Sequence, residues 1–381
     1  MDYTSRLKTF QQALAGKADL AFFPISADLQ YLTGVPREMP TFGAVLHPGA
    51  WVEGAWISPH HAPVLTLPRM TAEFGGMQDI QGIDLRILGD FDDPAALVRD
   101  LVRSFQLPDR PRVAISDRAF GHSTSGIQSV LPDATFLSAT DLLRPQRAIK
   151  TEDEIAVMRK AGEITEAAFA AVIPRLKLGM TELDVMAEVD YQIRKHGGVG
   201  PSFNTSMYNS GPTYPLIFGD AEHKWHRPLN PPVSLLFDFG AIYEGYCYDF
   251  GRTVSFGEPD AKMRRVYELV MASQRAGIEA LKADFATCEQ ADQAARTVIE
   301  NGGYGAEFRH RLGHGIGLDV HEPPFLTKGD TTVLREGMLF TVEPSITQHH
   351  SFSARVEDVV LVTKQGGMAL TTGFQDLIVI V

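Results

Sequence analysis

Two aspartates that follow apolar runs are the first residues of this sequence that could do chemistry. In the segment LFDFGAIYEGYCYDFGRT, Asp238 and Asp249 are 11 residues apart. An odd separation would point the two side chains to opposite faces of one continuous strand. Turn signals at Gly240 and Glu244-Gly245 lie between them, so we expect a hairpin to bring both carboxylates to one end of a sheet. Taken alone, each aspartate more often caps a strand or a turn.

Two histidines lie in the segment RLGHGIGLDVHEPPF. His314 is flanked by glycines, and His321 follows seven residues later. Gly313, Gly315 and Gly317 leave the backbone without side chains, which favours the close approach of another group. Imidazole is also the commonest nitrogen ligand of divalent metals. A lone histidine in such a setting is otherwise a core or surface residue.

Two glutamates lie inside strand-like runs. Glu343 is in GMLFTVEPSI and Glu357 is in ARVEDVVLV. A glutamate buried in a strand costs roughly several kcal/mol unless it is paired or binds a metal. Singly, each could face water at a sheet edge or pair with Arg355. These explanations do not extend to four carboxylates and an imidazole together, so the set predicts a site of concentrated positive charge.

Two divalent cations would supply four positive charges against the four carboxylates. An oxygen-rich ligand set with one histidine and no thiolate favours Mn, Co, Fe or Zn. Two such ions a few ångströms apart activate water to hydroxide and polarise a carbonyl. The sequence therefore predicts a dinuclear hydrolytic site.

The order Asp, Asp, His, Glu, Glu, with these flanks, resembles the pita-bread metallopeptidases. That family includes prolidase, Xaa-Pro aminopeptidase, methionine aminopeptidase and the metal-free creatinase. YLTGVP (31–36) resembles the signature of the creatinase-type N-terminal domain, and RAIKTEDEIAVMRKAGEITEAAF resembles the first helix of the catalytic domain. GMTE (179–182) and PSFNT (201–205) also match. An N-terminal domain of about 145 residues favours the prolidase and Xaa-Pro branch.

The resemblance also implies roles for the five ligands. Asp238 would chelate one metal through both oxygens, and Asp249 and Glu357 would bridge the two metals. His314 and Glu343 would bind the second metal.

Three catalytic roles follow from the same resemblance. A metal-bridging hydroxide would attack the scissile carbonyl, with Glu343 as the proton acceptor. His321 would hydrogen-bond the substrate and stabilise the tetrahedral intermediate, and Arg355 would support the site electrostatically. The implied activity is that of an Xaa-Pro aminopeptidase or Xaa-Pro dipeptidase acting on short peptides. Two alternatives remain open: a metal-dependent C–N hydrolase or lyase of a small non-peptide metabolite, and an inactive binding module on the same fold.

One departure from the family pattern concerns substrate specificity. Proline-directed members carry a further histidine after a Gly-Pro, and at the corresponding offset from Gly211-Pro212 this sequence has Phe218. The nearest histidines are His223 and His226. A short insertion would let His223 take the role, and the alternative is that both histidines face solvent.

The elements that must position these residues form two predicted domains. The first, 1–147, alternates strands with helices and is predicted to be an α/β creatinase-like domain. The second, 148–381, interleaves helices with antiparallel-looking strands and is predicted to be an α+β pita-bread catalytic domain. Its candidate strands contain all of the predicted ligands except His314, and they are 234–239, 246–254, 338–346 and 354–362.

Composition excludes several classes of protein. Among 381 residues, 47 acidic and 35 basic side chains leave a net charge of −12 and no long basic run, which argues against a nucleic-acid partner. Two cysteines cannot form a disulfide framework. No apolar stretch reaches the ~20 residues of a membrane span, and the first residues lack a signal-peptide pattern. We expect a cytoplasmic enzyme with a short peptide substrate, and the resemblance implies a homodimer.

Overall fold

The chain divides into two compact units, Met1–Arg147 and Ala148–Val381. The computed structural model describes residues 1–37, 48–74, 80 and 82–381. Among these residues, no helix is both long enough and apolar enough to cross a membrane.

The first unit is built on a mixed six-stranded sheet. Its strands lie in the order β4-β3-β2-β1-β5-β6, and the outer pairs β3–β4 and β5–β6 are parallel. The helices and strands of this unit are α1 Tyr3–Leu14, β1 Leu20–Phe23, α2 Ala27–Thr33, β2 Gly54–Ile57, β3 Val64–Pro68, α3 Arg69–Phe74, β4 Asp84–Leu88, α4 Pro94–Ser104, β5 Arg112–Ile115, α5 Gly121–Val130, β6 Thr135–Ser138 and α6 Ala139–Ala148.

Apolar burial explains why this sheet forms. All four residues of β1 are buried, as expected for a central strand that is covered on both faces. The rings of Phe22 and Trp56, on neighbouring strands, are 4.5 Å apart between centroids. At α4 the chain turns into a helix because Asp93 caps the amide of Ala95 and Pro94 occupies the first turn. The predicted α/β character of the first third is confirmed.

The second unit contains two larger sheets. One has the order β19-β11-β8-β7 and the other β13-β12-β14-β17-β18. The elements of this unit are α7 Glu152–Val172, α8 Glu182–Lys195, β7 Ser206–Met207, α9 Ala221–Trp225, β8 Val233–Phe239, β9 Ile242–Tyr243, β10 Tyr246–Cys247, β11 Phe250–Phe256, α10 Ala261–Ala280, α11 Cys288–Asn301, β12 Gly313–Gly315, β13 Glu322–Leu326, β14 Leu339–Val342, β15 Ser345–Ile346, β16 Ala354–Arg355, β17 Asp358–Val362, β18 Gly367–Ala369 and β19 Ile378–Ile380.

Local side-chain bonds fix where the long helices begin. Thr151 accepts a hydrogen bond from the amide of Glu154, and the Glu154 carboxylate accepts one from the Thr151 amide. The same reciprocal capping box opens the helices that follow Thr181 and Thr287. Helices α10 and α11 then pack, together with the sheet of β14 and β17, around one apolar core. The α+β character predicted for this part of the chain is confirmed.

Candidate metal centre

The two aspartates reach the same sheet end through a turn, as the sequence predicted. Asp238 lies in β8 opposite Gly251 of β11, and Asp249 directly precedes β11. The chain between them forms the short β9–β10 hairpin. A side chain at Gly240 would be impossible here, because its Cβ would lie 1.7 Å from the Tyr248 carbonyl oxygen. The glycine therefore allows the close turn that brings the two carboxylates together.

His314 is held in the middle strand of a tight group of three. A Cβ at Gly313 would lie 1.9 Å from the Thr341 carbonyl oxygen, and one at Gly315 would lie 2.5 Å from that of Glu322. The two glycines thus allow the neighbouring strands to pack close to the backbone on either side of His314. The Nδ1 atom of His314 is 3.0 Å from the carbonyl oxygen of Gly315. A proton on Nδ1 would serve this bond and leave the Nε2 lone pair free for a ligand.

Each of the three strand-like runs that carry Asp249, Glu343 and Glu357 is interrupted at its acidic residue. Sequence 246–254 becomes β10 and β11, 338–346 becomes β14 and β15, and 354–362 becomes β16 and β17. An interruption of the ladder changes the direction in which a side chain points. The interruptions let these carboxylates leave the regular alternation of the sheet.

The five predicted ligands converge on one buried cluster. Their side chains are all buried. One ligand atom each from Asp249, His314 and Glu357 lies within 4.8 Å of the other two. His314 Nε2 is 3.3 Å from Glu343 Oε1 and 3.6 Å from Asp249 Oδ2. Asp238 joins through Arg355, whose Nη1 is 2.8 Å from Asp238 Oδ2.

Arg355 supplies the cluster with a single positive charge. Its Nη2 donates to Glu343 Oε2 at 2.6 Å and to Glu357 Oε2 at 2.7 Å. These bonds extend across the ligand set and fix the orientation of three of the four carboxylates. One guanidinium still leaves the four carboxylates short of positive charge, which is the electrostatic condition that the sequence predicted.

The pKa values of the cluster residues are shifted in the way that this shortage of positive charge predicts. Burial raises the pKa values of Asp249 and Glu357 well above the ordinary range, and neighbouring carboxylates add to the effect. Burial also raises the pKa of Glu343 to about 6. In the same cluster, burial lowers the pKa of His314 well below its usual value and keeps the imidazole neutral.

The donor set fits divalent cations. Asp249 Oδ1 and Glu357 Oε1 are buried and have no hydrogen-bond partner among the described residues. A Cβ at Gly251 would lie 2.9 Å from Glu357 Cβ, so the glycine makes room for this carboxylate. Buried unpartnered oxygens, a neutral imidazole and no thiolate are the ligands of hard or borderline metals.

His321 lies beside the cluster at an exposed position. Its ring centroid is 4.1 Å from that of His314. The adjacent Glu322 is buried, pairs with Lys150 Nζ at 3.2 Å and accepts from the Asp319 amide at 3.1 Å. These bonds hold the turn that carries His321 next to His314.

His223 makes no contact with the cluster among the described residues. It is exposed on α9, and no hydrogen bond, ion pair or ring contact joins its imidazole to a described residue. His226 is exposed as well. On the same helix, Lys224 is half-buried, and its Nζ lies 5.0 Å from the ring centroid of Tyr208.

Comparison with known proteins identifies the family to which this chain is similar. The sequence profile of metallopeptidase family M24 matches residues 156–364. The protein YkvY of Bacillus subtilis is 31% identical over 369 residues, which are 94% of this chain and 95% of YkvY. An Xaa-Pro dipeptidase of Pyrococcus horikoshii is 38% identical over 243 residues, 64% of this chain and 68% of that protein.

A solved structure extends the similarity to both units. The recombinant prolidase of Thermococcus sibiricus superposes with a TM-score of 0.87 at 26% identity, over 100% of both chains. The resemblance found in the sequence is thereby confirmed. This chain belongs to metallopeptidase family M24 and is a metal-dependent peptidase with the two-domain pita-bread fold.

Proposed function

We propose that this protein is a dinuclear Xaa-Pro dipeptidase. The observation that carries the proposal is the convergence of one imidazole and four carboxylates, two of which have an oxygen without a partner, on one buried point. Two of its relatives, an Xaa-Pro dipeptidase and a prolidase, add the substrate class.

The ligand assignment follows the family resemblance. Asp238, His314 and Glu343 would hold the two cations together with Asp249 and Glu357, whose unpartnered oxygens would then gain a partner. Mn, Co, Fe or Zn would suit this set of oxygens and one nitrogen.

The protein side chains have separate tasks around the metals. The two ions, when bound, supply an activated water and a polarised scissile carbonyl. Glu343 accepts the proton of the attacking water and returns it to the leaving nitrogen. His321 hydrogen-bonds the substrate oxygen on which negative charge develops. Arg355 orients three carboxylates through the bonds described above.

The remaining features are part of the same proposal. Residues 1–147 form the creatinase-like domain, and 148–381 carry the catalysis. The homodimer and the cytoplasmic location expected from the sequence stay predictions.

A hydrolysis panel across metals tests the proposal. The metal-stripped protein is loaded with Mn, Co, Fe or Zn and given Ala-Pro, Ala-Ala, Ala-Pro-Ala and an N-acylated Ala-Pro. We expect release of proline from Ala-Pro, no cleavage of the N-acylated peptide, and loss of activity with a chelator. Glu163→Gln, a change on the exposed face of α7, serves as the control variant.

Other outcomes of the panel would replace the proposal. Cleavage of Ala-Pro-Ala in preference to Ala-Pro would make the protein an aminopeptidase. Failure on every Xaa-Pro peptide, together with metal-dependent cleavage of another amide, would favour the C–N hydrolase of a small metabolite.

A further inference from the structure

Lys224 is a cation without an ion-pair partner among the described residues. It is half-buried on α9, and its Nζ lies 5.0 Å from the ring centroid of Tyr208. No carboxylate of a described residue comes within the 4.0 Å of an ion pair. Burying part of an ammonium without a partner is unfavourable, so the position calls for a compensating group.

The strand register places Lys224 near the predicted ligands. Ser206 of β7 is directly opposite Asp238 of β8, and the Tyr208 amide continues the ladder to the Leu236 carbonyl at 3.1 Å. Residues two apart on a strand face the same side, so Tyr208 shares its face with Asp238. Diagonal neighbours of this kind are about 7–8 Å apart between Cα atoms. The ring that Lys224 covers therefore borders the metal centre.

Arg227, three residues after Lys224, is a cation whose interactions are all within the fold, and it serves as a comparison. It packs at 3.5 Å over the ring of Tyr214, and its Nη2 is 3.0 Å from Glu182 Oε1, a fully buried carboxylate. Its charge and its stacking are both accounted for within the fold. Lys224 has the stacking without the carboxylate.

An exposed aromatic side chain completes the surroundings of Lys224. The ring of Phe218 is 5.6 Å from that of Tyr208, yet Phe218 is 68% exposed. Two aromatic rings next to a single cation are the composition of a small-molecule pocket, in which apolar walls accompany a few polar groups. A ligand with an apolar body and one carboxylate would match it.

The carboxylates that act on Lys224 have other partners in the proposed function. Glu182, which acts on Lys224 more strongly than Asp238 does, is paired with Arg227 Nη2 at 3.0 Å, and Asp238 would be occupied by a metal. Lys224 therefore has no carboxylate of its own among the described residues.

On the basis of the proposed function, we propose that Lys224 binds a carboxylate of the substrate. The carboxylate has two possible sources in an Xaa-Pro dipeptide: the C-terminal α-carboxylate, or an acidic side chain on the first residue. Both would place negative charge against the ammonium while the apolar part of the peptide covers Tyr208 and Phe218.

Binding of cleavage products tests the proposal without turnover. Isothermal titration calorimetry on the Zn-loaded protein compares L-proline with L-prolinamide, and L-glutamate with L-glutamine. We expect the acid of at least one pair to bind about tenfold more tightly than its amide, as an ion pair of about 1.4 kcal/mol would give. The Lys224→Met variant should lose this difference, and Lys224→Arg should keep most of it.

A second lysine that packs against a tyrosine, away from the proposed site, serves as a matched control. Lys195 Nζ lies 5.8 Å from the ring centroid of Tyr191, and both residues are exposed on α8. Lys195→Met should leave every affinity unchanged. The pair that loses its difference in Lys224→Met identifies the source of the carboxylate.

Three results would overturn the proposal. The first is a wild-type protein that binds neither acid more tightly than its amide, and the second is a Lys224→Met variant that keeps the difference. The third is loss of the difference in Arg311→Met alone, since Arg311 stacks at 4.7 Å over Phe325 with its Nε unpartnered and is the competing cation. The peptide panel stands apart from this test: failure to cleave Xaa-Pro removes the proposed function but leaves the calorimetric comparison to decide Lys224.

Discussion

Glu357 and Asp358 are neighbours in the chain, and both are buried, yet their surroundings differ. Asp358, 1% exposed, receives hydrogen bonds from Arg252 Nη2 at 2.7 Å and from Gln274 Nε2 at 2.9 Å. Glu357, 0% exposed, has one oxygen bonded to Arg355 and one with no partner among the described residues. Burial alone therefore does not distinguish a structural carboxylate from a ligand, but the completeness of its partners does.

Arg252 links the carboxylate of Asp358 to the backbone of Glu357. This fully buried side chain donates to the Glu357 carbonyl at 2.7 Å as well as to Asp358. The fully hydrogen-bonded pair of Arg252 and Asp358 thus anchors the backbone of Glu357, whose carboxylate has an oxygen without a partner. The comparison between the Arg252–Asp358–Gln274 cluster and the metal-ligand cluster gives four predictions.

Glu343→Gln should have the largest effect on activity. Loss of the proton acceptor is expected to lower kcat on Ala-Pro by about 10²- to 10⁴-fold. The melting temperature of the metal-free variant should not fall, because the amide removes a buried charge from a crowded cluster. Steady-state kinetics and thermal unfolding check both parts, and retained turnover would remove Glu343 from its assigned role.

Arg252→Met should have the largest effect on stability. Breaking the buried pair leaves Asp358 uncompensated, and we expect a loss of about 3–5 kcal/mol in the free energy of unfolding. The matched control is Arg335→Met, which breaks an exposed pair with Asp284 and should cost about 0–1 kcal/mol. Equal losses in a denaturant titration would contradict the structural role of the buried pair.

Asp249→Asn should make the stability of the metal-free protein depend less on pH. Burial raises the pKa of Asp249 in the folded state, so above about pH 4 the folded chain binds more protons than the unfolded chain. Stability of the metal-free protein therefore falls as the pH rises, and the asparagine variant should show a shallower fall. Unfolding free energies at pH 5 and pH 8 measure the difference, and a steeper fall in the variant would reject the assignment.

His223→Ala should have the smallest effect. An exposed imidazole without contacts is expected to change kcat/KM by no more than about twofold. The informative comparison is His321→Ala, in which a residue beside the cluster is lost. A large effect at His223 would mean that α9 rearranges when substrate binds.

The proposed ligand set could be predicted from the sequence because its elements are locally determined. Thr151 and Glu154 have the spacing of a capping box in the sequence, and α7 begins there in the structure. Glycines around His314 and the turn residues between the two aspartates carried the rest of the signal.

Features that depend on packing could not be read in this way. The strands that contain Asp249, Glu343 and Glu357 were predicted as continuous, because the interruptions reflect strand pairing and not local propensity. The direction of α9 was equally hidden, since a helix of five residues has too short a pattern to show which face turns inward. For that reason the sequence left open whether His223 faces solvent, and it gave no reason to consider Lys224.

The most direct test of the account is the number of metal ions that the stripped protein binds. Titration calorimetry with Mn²⁺, supported by elemental analysis, should give two ions per chain for the wild type and for Arg335→Met. Asp249→Asn, which alters an oxygen assigned to both ions, should weaken or abolish this binding. Absence of binding to the wild type, or unchanged binding of two ions by Asp249→Asn, would contradict the claim that the unpartnered carboxylates form the metal centre.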